Sequence, residues 1–479
     1  MSSDDAHTAW IDRQTQARHI AATVGELFNR QGIEIKVFGK SLINETPLSI
    51  LKILKRGCLI TGENPPIADY TSLLDAVDGM GLGLCKIDIG KLVSGYAADR
   101  GRFPSPKQYV RAELSDDFFN TEAGPKRPKD VVLYGFGRIG RILTRLLIET
   151  TGAGRFFRLR GVVVRGKGGA EDLFKRADLL RHDSIHGAFD GIVDEDPENA
   201  ELIVNGARIK FIFADHPNEI DYADYGFENV VVVDNTGTWR DREGLSQHVR
   251  GVSRKVILTA PGKGDIPNIV FGVNHEGNCR DAILSCASCT TNAVVPVLKA
   301  IHDEFGVASG HIETIHSYTN DQNLLDNYHS ADRRGRAAPM NMVITTTGAA
   351  KAVAKVLPEY AGKLTGNSVR VPTPNVSLAI LNLTFPEPVD RERLNDFLRR
   401  TALHSKLQKQ IDYTVFPVVS SDLGKSVYTG VVDSMATLVR ENHAVIYVWY
   451  DNEFGYSHQV KRLVKYICGD DVPEYNGRG

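Results

Sequence analysis

The chain has 479 residues, of which 42% are hydrophobic and 24% charged, with a net charge of −2. That length predicts two or three domains of an ordinary globular protein, the near-neutral charge argues against bulk nucleic-acid binding, and no run of about 18 apolar residues predicts a membrane span. Six cysteines are too few for a disulfide framework, and the polar, acidic start MSSDDAHTAWIDRQ lacks the regions of a secretory signal, so a reducing, cytoplasmic compartment is expected.

Residues 1–128 read as a mainly helical extension. AWIDRQTQARHIAATVGELFNRQ carries Ile20, Val24, Leu27 and Phe28 at helical spacing, LSILKILKRG and YTSLLDAVDGM predict further helices, and IEIKVFG alone predicts a strand. NTEAGPKRPKD, with its Gly, two Pro and mixed charges, predicts a linker. From residue 129 to 288 apolar strands alternate with helices: VVLYGFG, GVVVRG, ARIKFIFAD, NVVVVDNTG and KVILTAP predict a largely parallel sheet covered by helices. Residues 289–452 are richer in strands (GHIETIHSYT, SLAILNLTF, HAVIYVWYD) and predict an α+β domain with a mixed sheet; 453–479 is expected to return to the preceding domain. The fold class is therefore α/β, a Rossmann-type domain plus an α+β domain behind a helical extension.

VVLYGFGRIGRILTRLLIE is a strand, the turn Gly135-Phe136-Gly137-Arg138-Ile139-Gly140, and an amphipathic helix. In such a turn the first glycine permits the bend, the second lets a pyrophosphate approach, and the third lets helix and strand pack closely. The phosphates would lie on the helix N-terminus. A bare glycine-rich turn is the alternative. The next strand should end in an acid that reads the adenosine ribose. It ends instead in Arg165-Gly166-Lys167, two cations that suit a 2′-phosphate unless they are simply solvated loop charges.

SCASCTTNAVVPVLKAIHDEF sets Cys286 and Cys289 three apart before an amphipathic run. A zinc site would need two more ligands, and no second C-x-x-C exists, so no metal is expected. A thioredoxin-type pair would follow the first strand of a small domain. The third reading puts Cys289 at a helix N-terminus, where the dipole and free N–H groups favour thiolate. A thiolate beside a nicotinamide site is what covalent oxidation of an aldehyde requires.

ASCTTN (287–292) resembles the active-site sequence of the phosphorylating glyceraldehyde-3-phosphate dehydrogenases. In family order follow GFGRIGR (135–141), HDSIHG (182–187), TIHSYTNDQ (314–322), RRGRAAPMNMVITTTGAAKAV (333–353), RVPTPNVS (370–377) and WYDNEFGYS (449–457). The resemblance spans roughly residues 130–475; residues 1–128 have no counterpart in the ordinary enzyme. It implies that Cys289 is the nucleophile and His316 its base. It implies NADP or NAD held by the glycine turn, by Thr236-Gly237, by Asn452 toward the nicotinamide, and by Tyr456 and Asn292 nearby. Two anion sites are implied, one at Thr319 and Arg370, the other at Ser288, Thr347 and Gly348, with Thr290 on the same side.

Such an enzyme would convert D-glyceraldehyde 3-phosphate and inorganic phosphate reversibly to 1,3-bisphosphoglycerate through a thioester, in glycolysis or gluconeogenesis, as a homotetramer. The sequence departs from the family pattern at Tyr134 (usually Asn), at Arg165-Gly166-Lys167, and at Asn327-Tyr328 in place of the NAD-type Leu-Pro. Both cofactor markers move away from strict NAD choice. Cys286 is either a resolving thiol for Cys289 or a small buried filler. Erythrose-4-phosphate oxidation, or a regulatory scaffold on a retained dehydrogenase fold, are the other readings of the whole chain.

Overall fold

The computed structural model describes residues 3–121, 124–125, 127–345 and 347–477. The chain forms two compact units. One takes the residues up to Pro128 together with Glu149–Phe157 and the chain from Cys468 on; the other takes Lys129–Ile148 and Arg158–Ile467.

In the first unit α1 (Ser3–Glu26) runs into a π-turn at Leu27–Gln31 and leads to β1 (Ile33–Val37) and β2 (Lys40–Ser41). Then come α2 (Pro47–Thr61), α3 (Ile67–Asp78), β3 (Cys85–Asp88), α4 (Ile89–Asp99) and α5 (Pro106–Glu113). The helical spacing read from the sequence places Ile20, Val24, Leu27 and Phe28 in the core. α2 begins where Thr46 caps it, its hydroxyl accepting from the Ser49 N–H with Pro47 in the first turn, and stops at Gly62 in the left-handed region. The unit also holds a sheet that the sequence reading largely missed. β1 and β3 pair in parallel, β2 closes one edge, and the C-terminal strand Glu474–Tyr475 adds in parallel to β3 at the other. The expectation that 453–479 completes the nucleotide domain is corrected accordingly: the helix ends at Ile467, and the tail beyond it belongs to the first unit. Part of the expected linker (residues 122, 123 and 126) lies outside the described residues.

The second unit opens with β4 (Lys129–Tyr134), α6 (Arg138–Glu149), β5 (Phe157–Val164), α7 (Ala170–Arg181), β6 (Val193–Asp196), β7 (Glu201–Val204), β8 (Ala207–Phe213), β9 (Val230–Asp234), α8 (Arg242–Ser246), β10 (Ser253–Leu258) and β11 (Ile283–Ser285). Their sheet order is β11-β10-β9-β4-β5-β8-β7-β6. The order reverses between β4 and β9, the crevice where doubly wound sheets bind ligands. Continuous apolar runs such as Val230–Val233 are fully buried because helices cover both faces.

β11 feeds α9 (Cys289–Phe305), followed by β12 (Ser309–Ser317), β13 (Val343–Thr345), α10 (Ala349–Val356), β14 (Leu364–Val371), β15 (Ser377–Thr384), α11 (Arg391–His404), β16 (Ile411–Thr414), β17 (Gly430–Arg440), β18 (His443–Tyr450) and α12 (Phe454–Ile467). These strands form a mixed sheet ordered β13-β14-β12-β15-β18-β17-β16. α9 lies on it through Val294, Val297, Leu298 and Ile301, all fully buried with Ile312, Leu381 and Ile446. Two registers matter below: His316 pairs with Arg370 between β12 and β14, and Ser377 pairs with Tyr450 between β15 and β18.

Candidate active site

The glycine turn has the geometry its sequence requires. Gly135 sits at φ 102°, and a Cβ on Gly140 would lie 2.2 Å from the Gly135 carbonyl oxygen, so helix and strand approach too closely for any side chain. A Cβ at Gly137 would meet nothing within 4 Å. The first turn of α6 therefore faces open space with its N–H donors, which fits a pyrophosphate. The side chains around the turn are committed elsewhere: Phe136 packs edge-on against Phe211, Arg138 pairs with Glu453 and Asp183, and Ile139 is half-buried. Any grip on phosphate there comes from the backbone.

Arg165 and Lys167 are exposed at the end of β5 and make no ion pair among the described residues. Thr236 is fixed at the end of β9 by Asp234, whose Oδ1 accepts from both its N–H and its hydroxyl at 2.7 Å, and Gly237 turns the chain at φ 61°. Tyr134 fills the position usually held by Asn with a buried ring set edge-on to Trp239 and His248. Burial, then Asp234, pushes its hydroxyl up to about 12.

Cys289 is the first residue of α9. Ser288 caps that helix, its Oγ accepting from the Thr291 N–H at 3.1 Å, and Ala287 before it is held in the left-handed region at φ 54°. Asn292 maintains this bend: its Nδ2 donates to the carbonyls of Cys286 at 2.7 Å and Ser288 at 2.9 Å. Asn292 is fully buried, so it clamps the turn rather than facing a cofactor, which corrects the sequence reading. The Tyr456 hydroxyl donates to the Ala287 carbonyl at 3.0 Å, on the same bend. Cys286 is buried among apolar groups that push its thiol far up, the setting of a filler more than of a reactive sulfur.

His316 ends β12 with its Nε2 3.5 Å from the Cys289 Sγ. Its Nδ1 lies 2.7 Å from the Ser317 carbonyl and 2.9 Å from Arg370 Nη1. With the proton on Nδ1 and donated to that carbonyl, Nε2 keeps a lone pair toward sulfur. The thiolate expected from the helix dipole meets opposition here. Burial pushes the Cys289 thiol up, with Arg370 and the Thr290 hydroxyl and N–H pulling the other way. Burial, then Arg370, holds the His316 imidazole down to about 4. For both groups desolvation is the largest influence, and it disfavours the charged form.

Arg370 donates through Nη1 to the Ser317 carbonyl and to Thr319 Oγ1 at 3.3 Å, with the protonated His316 Nδ1 alongside at 2.9 Å. Among the described residues its Nε is buried without a partner, as are both amide atoms of Gln322. An anion beside Thr319 would satisfy the guanidinium. Two residues here escaped sequence reasoning. Asp321 accepts from the Thr319 hydroxyl and pairs with Arg334 at 2.7 Å, while Arg334 also donates to Thr345 Oγ1. Both lie inside the quoted segments; only the fold shows that residues 321 and 334 close on each other. Thr347 Oγ1 accepts from the Ala349 N–H, and Gly348 between them is the exposed N-cap of α10. Thr290 bonds the Tyr450 hydroxyl at 3.0 Å and so faces the sheet.

Residues 129–242 match the family model described as glyceraldehyde 3-phosphate dehydrogenase, NAD binding domain, and residues 288–452 match its C-terminal domain. The chain belongs to the glyceraldehyde-3-phosphate dehydrogenase family. It is 50% identical to a glyceraldehyde-3-phosphate dehydrogenase-like protein of Pseudomonas aeruginosa, over 94% of this chain and 99% of that one. It is 38% identical to glyceraldehyde-3-phosphate dehydrogenase 2 of Bacillus subtilis, over 71% of this chain and 96% of the relative. With the Geobacillus stearothermophilus glyceraldehyde-3-phosphate dehydrogenase it shares 40% identity over 71% and 98%. The Pseudomonas match is long enough to take in most of the N-terminal unit, whereas the two Bacillus-type matches are not. The β4–α6 turn lies within the residues that match the NAD binding domain, and the chain is a dehydrogenase of NAD-binding type.

Proposed function

We propose that this dehydrogenase oxidises D-glyceraldehyde 3-phosphate with inorganic phosphate to 1,3-bisphosphoglycerate, reversibly, in the cytoplasmic steps of glycolysis or gluconeogenesis. The observation that carries it is the Cys289 Sγ 3.5 Å from His316 Nε2, with Arg370 and Thr319 next to them. His316 takes the thiol proton as Sγ adds to the aldehyde carbon, giving a hemithioacetal. The Cys289 N–H and the protonated imidazole face the resulting oxyanion. The imidazolium returns its proton to that oxyanion, and neutral His316 takes it back as the carbon gives up its hydride, leaving a thioester on Cys289 and a proton that passes to solvent. Bound NAD(P) supplies the hydride acceptor. Phosphate attacks the thioester carbonyl, sulfur leaves, and the products are the acyl phosphate and the free cysteine. Thr319 and Arg370 hold the substrate phosphate; Ser288, Thr347 and Gly348 stand on the side of the attacking one.

The unpaired cations Arg165 and Lys167 favour NADP at least as well as NAD. A homotetramer is supported by the exposed apolar side chains of the 318–345 segment: Leu324, Leu325, Met340, Met342, and Tyr328 at 90% exposure, too many for a free surface loop.

A steady-state assay crossing glyceraldehyde 3-phosphate and erythrose 4-phosphate with NAD and NADP, with and without phosphate, tests the reading. Phosphate-dependent turnover to an acyl phosphate is expected, abolished by Cys289→Ser and lowered about 10²–10⁴-fold by His316→Asn. Release of free acid without phosphate points to the erythrose-type reaction, and cofactor binding without turnover points to a scaffold.

A further inference from the structure

We infer that Ser377 is a positioning residue that fixes which end of the Asn452 amide faces the nicotinamide. This rests on the reading of Asn452 as the nicotinamide contact. Ser377 is 1% exposed at the start of β15 and follows Val376, a β-branched residue held at φ 63°. A bend that unfavourable for valine persists only where its surroundings hold it. Here the Ser317 hydroxyl donates to the Val376 carbonyl at 3.0 Å, and the Ser317 N–H donates to Ser377 Oγ at 3.1 Å. With Oγ accepting from that amide, the Ser377 hydroxyl proton is donated to Asn452 Oδ1, also at 3.1 Å.

The backbone of Asn452 is clamped on both sides. Asp451 before it accepts from Asn375 and from the N–H groups of Lys425, Glu453 and Phe454, and Glu453 after it pairs with Arg138 of the glycine turn. What remains is rotation of the terminal amide, which is broad and nearly two-fold in an asparagine. One orientation presents N–H donors to a carboxamide oxygen; the other presents a carbonyl. Because Oδ1 is taken by Ser377, Nδ2 is left as the free end, and it makes no hydrogen bond among the described residues. Ser377 stands opposite Tyr450 in the sheet, Tyr450 bonds Thr290 beside the nucleophile, and the other neighbour of Ser377, Ser317, follows His316. One serine thus registers the nicotinamide contact against both catalytic groups.

The test compares two probes on full-length wild type and Ser377→Ala. One is NADH, and the other is ADP-ribose, which has the same nucleotide but no nicotinamide. If the wild type prefers the phosphorylated cofactor, NADPH and 2′-phospho-ADP-ribose replace them. Loss of one buried neutral hydrogen bond should weaken NADH binding by roughly 5–10-fold and leave ADP-ribose binding unchanged. With 4-deuterated cofactor, the variant should also transfer a measurable fraction of label from the wrong face of the ring. In an Asn452→Ala background, Ser377→Ala should have no further effect on NADH binding. Equal weakening toward both probes would make Ser377 merely structural and overturn the inference, as would unchanged NADH binding or additive losses in the double variant. If Ser377→Ala does not fold, Ser377→Cys, a weak donor of similar size, should show the same selective loss for NADH. The binding arms need no turnover: a wild type that binds NADH but oxidises no aldehyde phosphate defeats the proposed reaction and leaves this inference readable.

Discussion

Cys289 and His316 meet where burial resists the charges their chemistry needs, so the proton must move within the pair as substrate arrives. His316 offers a test that does not depend on activity. Its imidazole is held down to about 4, below the 6.5 of a free side chain. Above pH 6.5 it is neutral in folded and unfolded chains alike and contributes nothing to pH dependence. Between 6.5 and 4 the unfolded chain binds a proton that the folded one refuses, so stability falls as pH falls, by about 1.4 kcal/mol per unit of depression. The buried His458 is depressed in the same direction and adds to the wild-type slope. His316→Asn should therefore flatten the acid limb only in part, by roughly 3–4 kcal/mol in total. Denaturant unfolding at several pH values reads it, and identical slopes in wild type and variant would show that His316 is not held neutral.

At the level of single elements, the proposed use of NADP rests on the end of β5. Arg165 and Lys167 are exposed there without an ion-pair partner among the described residues, and a 2′-phosphate would gain charge-assisted hydrogen bonds where a free ribose would not. Arg165→Asp should shift the ratio of kcat/KM values about tenfold or more toward NAD, the scale of one hydrogen bond to a charged group. Strong NAD selectivity in the wild type would refute the assignment. β5 was legible because its buried apolar run and the glycine turn before it are local patterns. So were α2, with its Thr46-Pro47 start and Gly62 stop, and the nucleophile helix, with its Ser288 cap. β2 and the strand Glu474–Tyr475, two residues each, have no period to detect, and they exist only because β1 and β3 offer edges. The same limit hid Asp321, Arg334 and Ser377. Each stands in a recognisable segment, but its role comes from strand register and loop closure, which bring together residues 13, 60 and 75 positions apart.

Across the whole molecule, the N-terminal unit is built from both ends of the chain. Lys36 in β1 is 7% exposed on its side chain, and its ammonium lies 2.8 Å from Glu474 in the C-terminal strand. Burial alone would depress that ammonium; Glu34 and Glu474 overcome it and raise it. Lys86 pairs with Asp470 at 2.8 Å, and the Tyr475 hydroxyl donates to Glu113 at 2.9 Å. The segment 149–157 contributes too, with Gly152 turned at φ 52° against the Phe28 ring. A free-standing module of residues 1–128 is therefore incomplete: it lacks an edge strand and leaves Lys36 and Lys86 short of partners. Removing one member of a buried pair costs roughly 3–5 kcal/mol, a large share of the stability of a domain this size. Residues 1–128 alone should melt well below the same fragment carrying residues 468–479 on a flexible tether. Glu474→Ala in the full chain should lower the melting of this unit while leaving the dehydrogenase core intact. Conversely, a chain from 129 to 479 should be less soluble than one from 129 to 467, because its tail has lost β3. Thermal melts of the two N-terminal fragments decide the matter: equal midpoints would mean that the tail only rests on a module already complete without it.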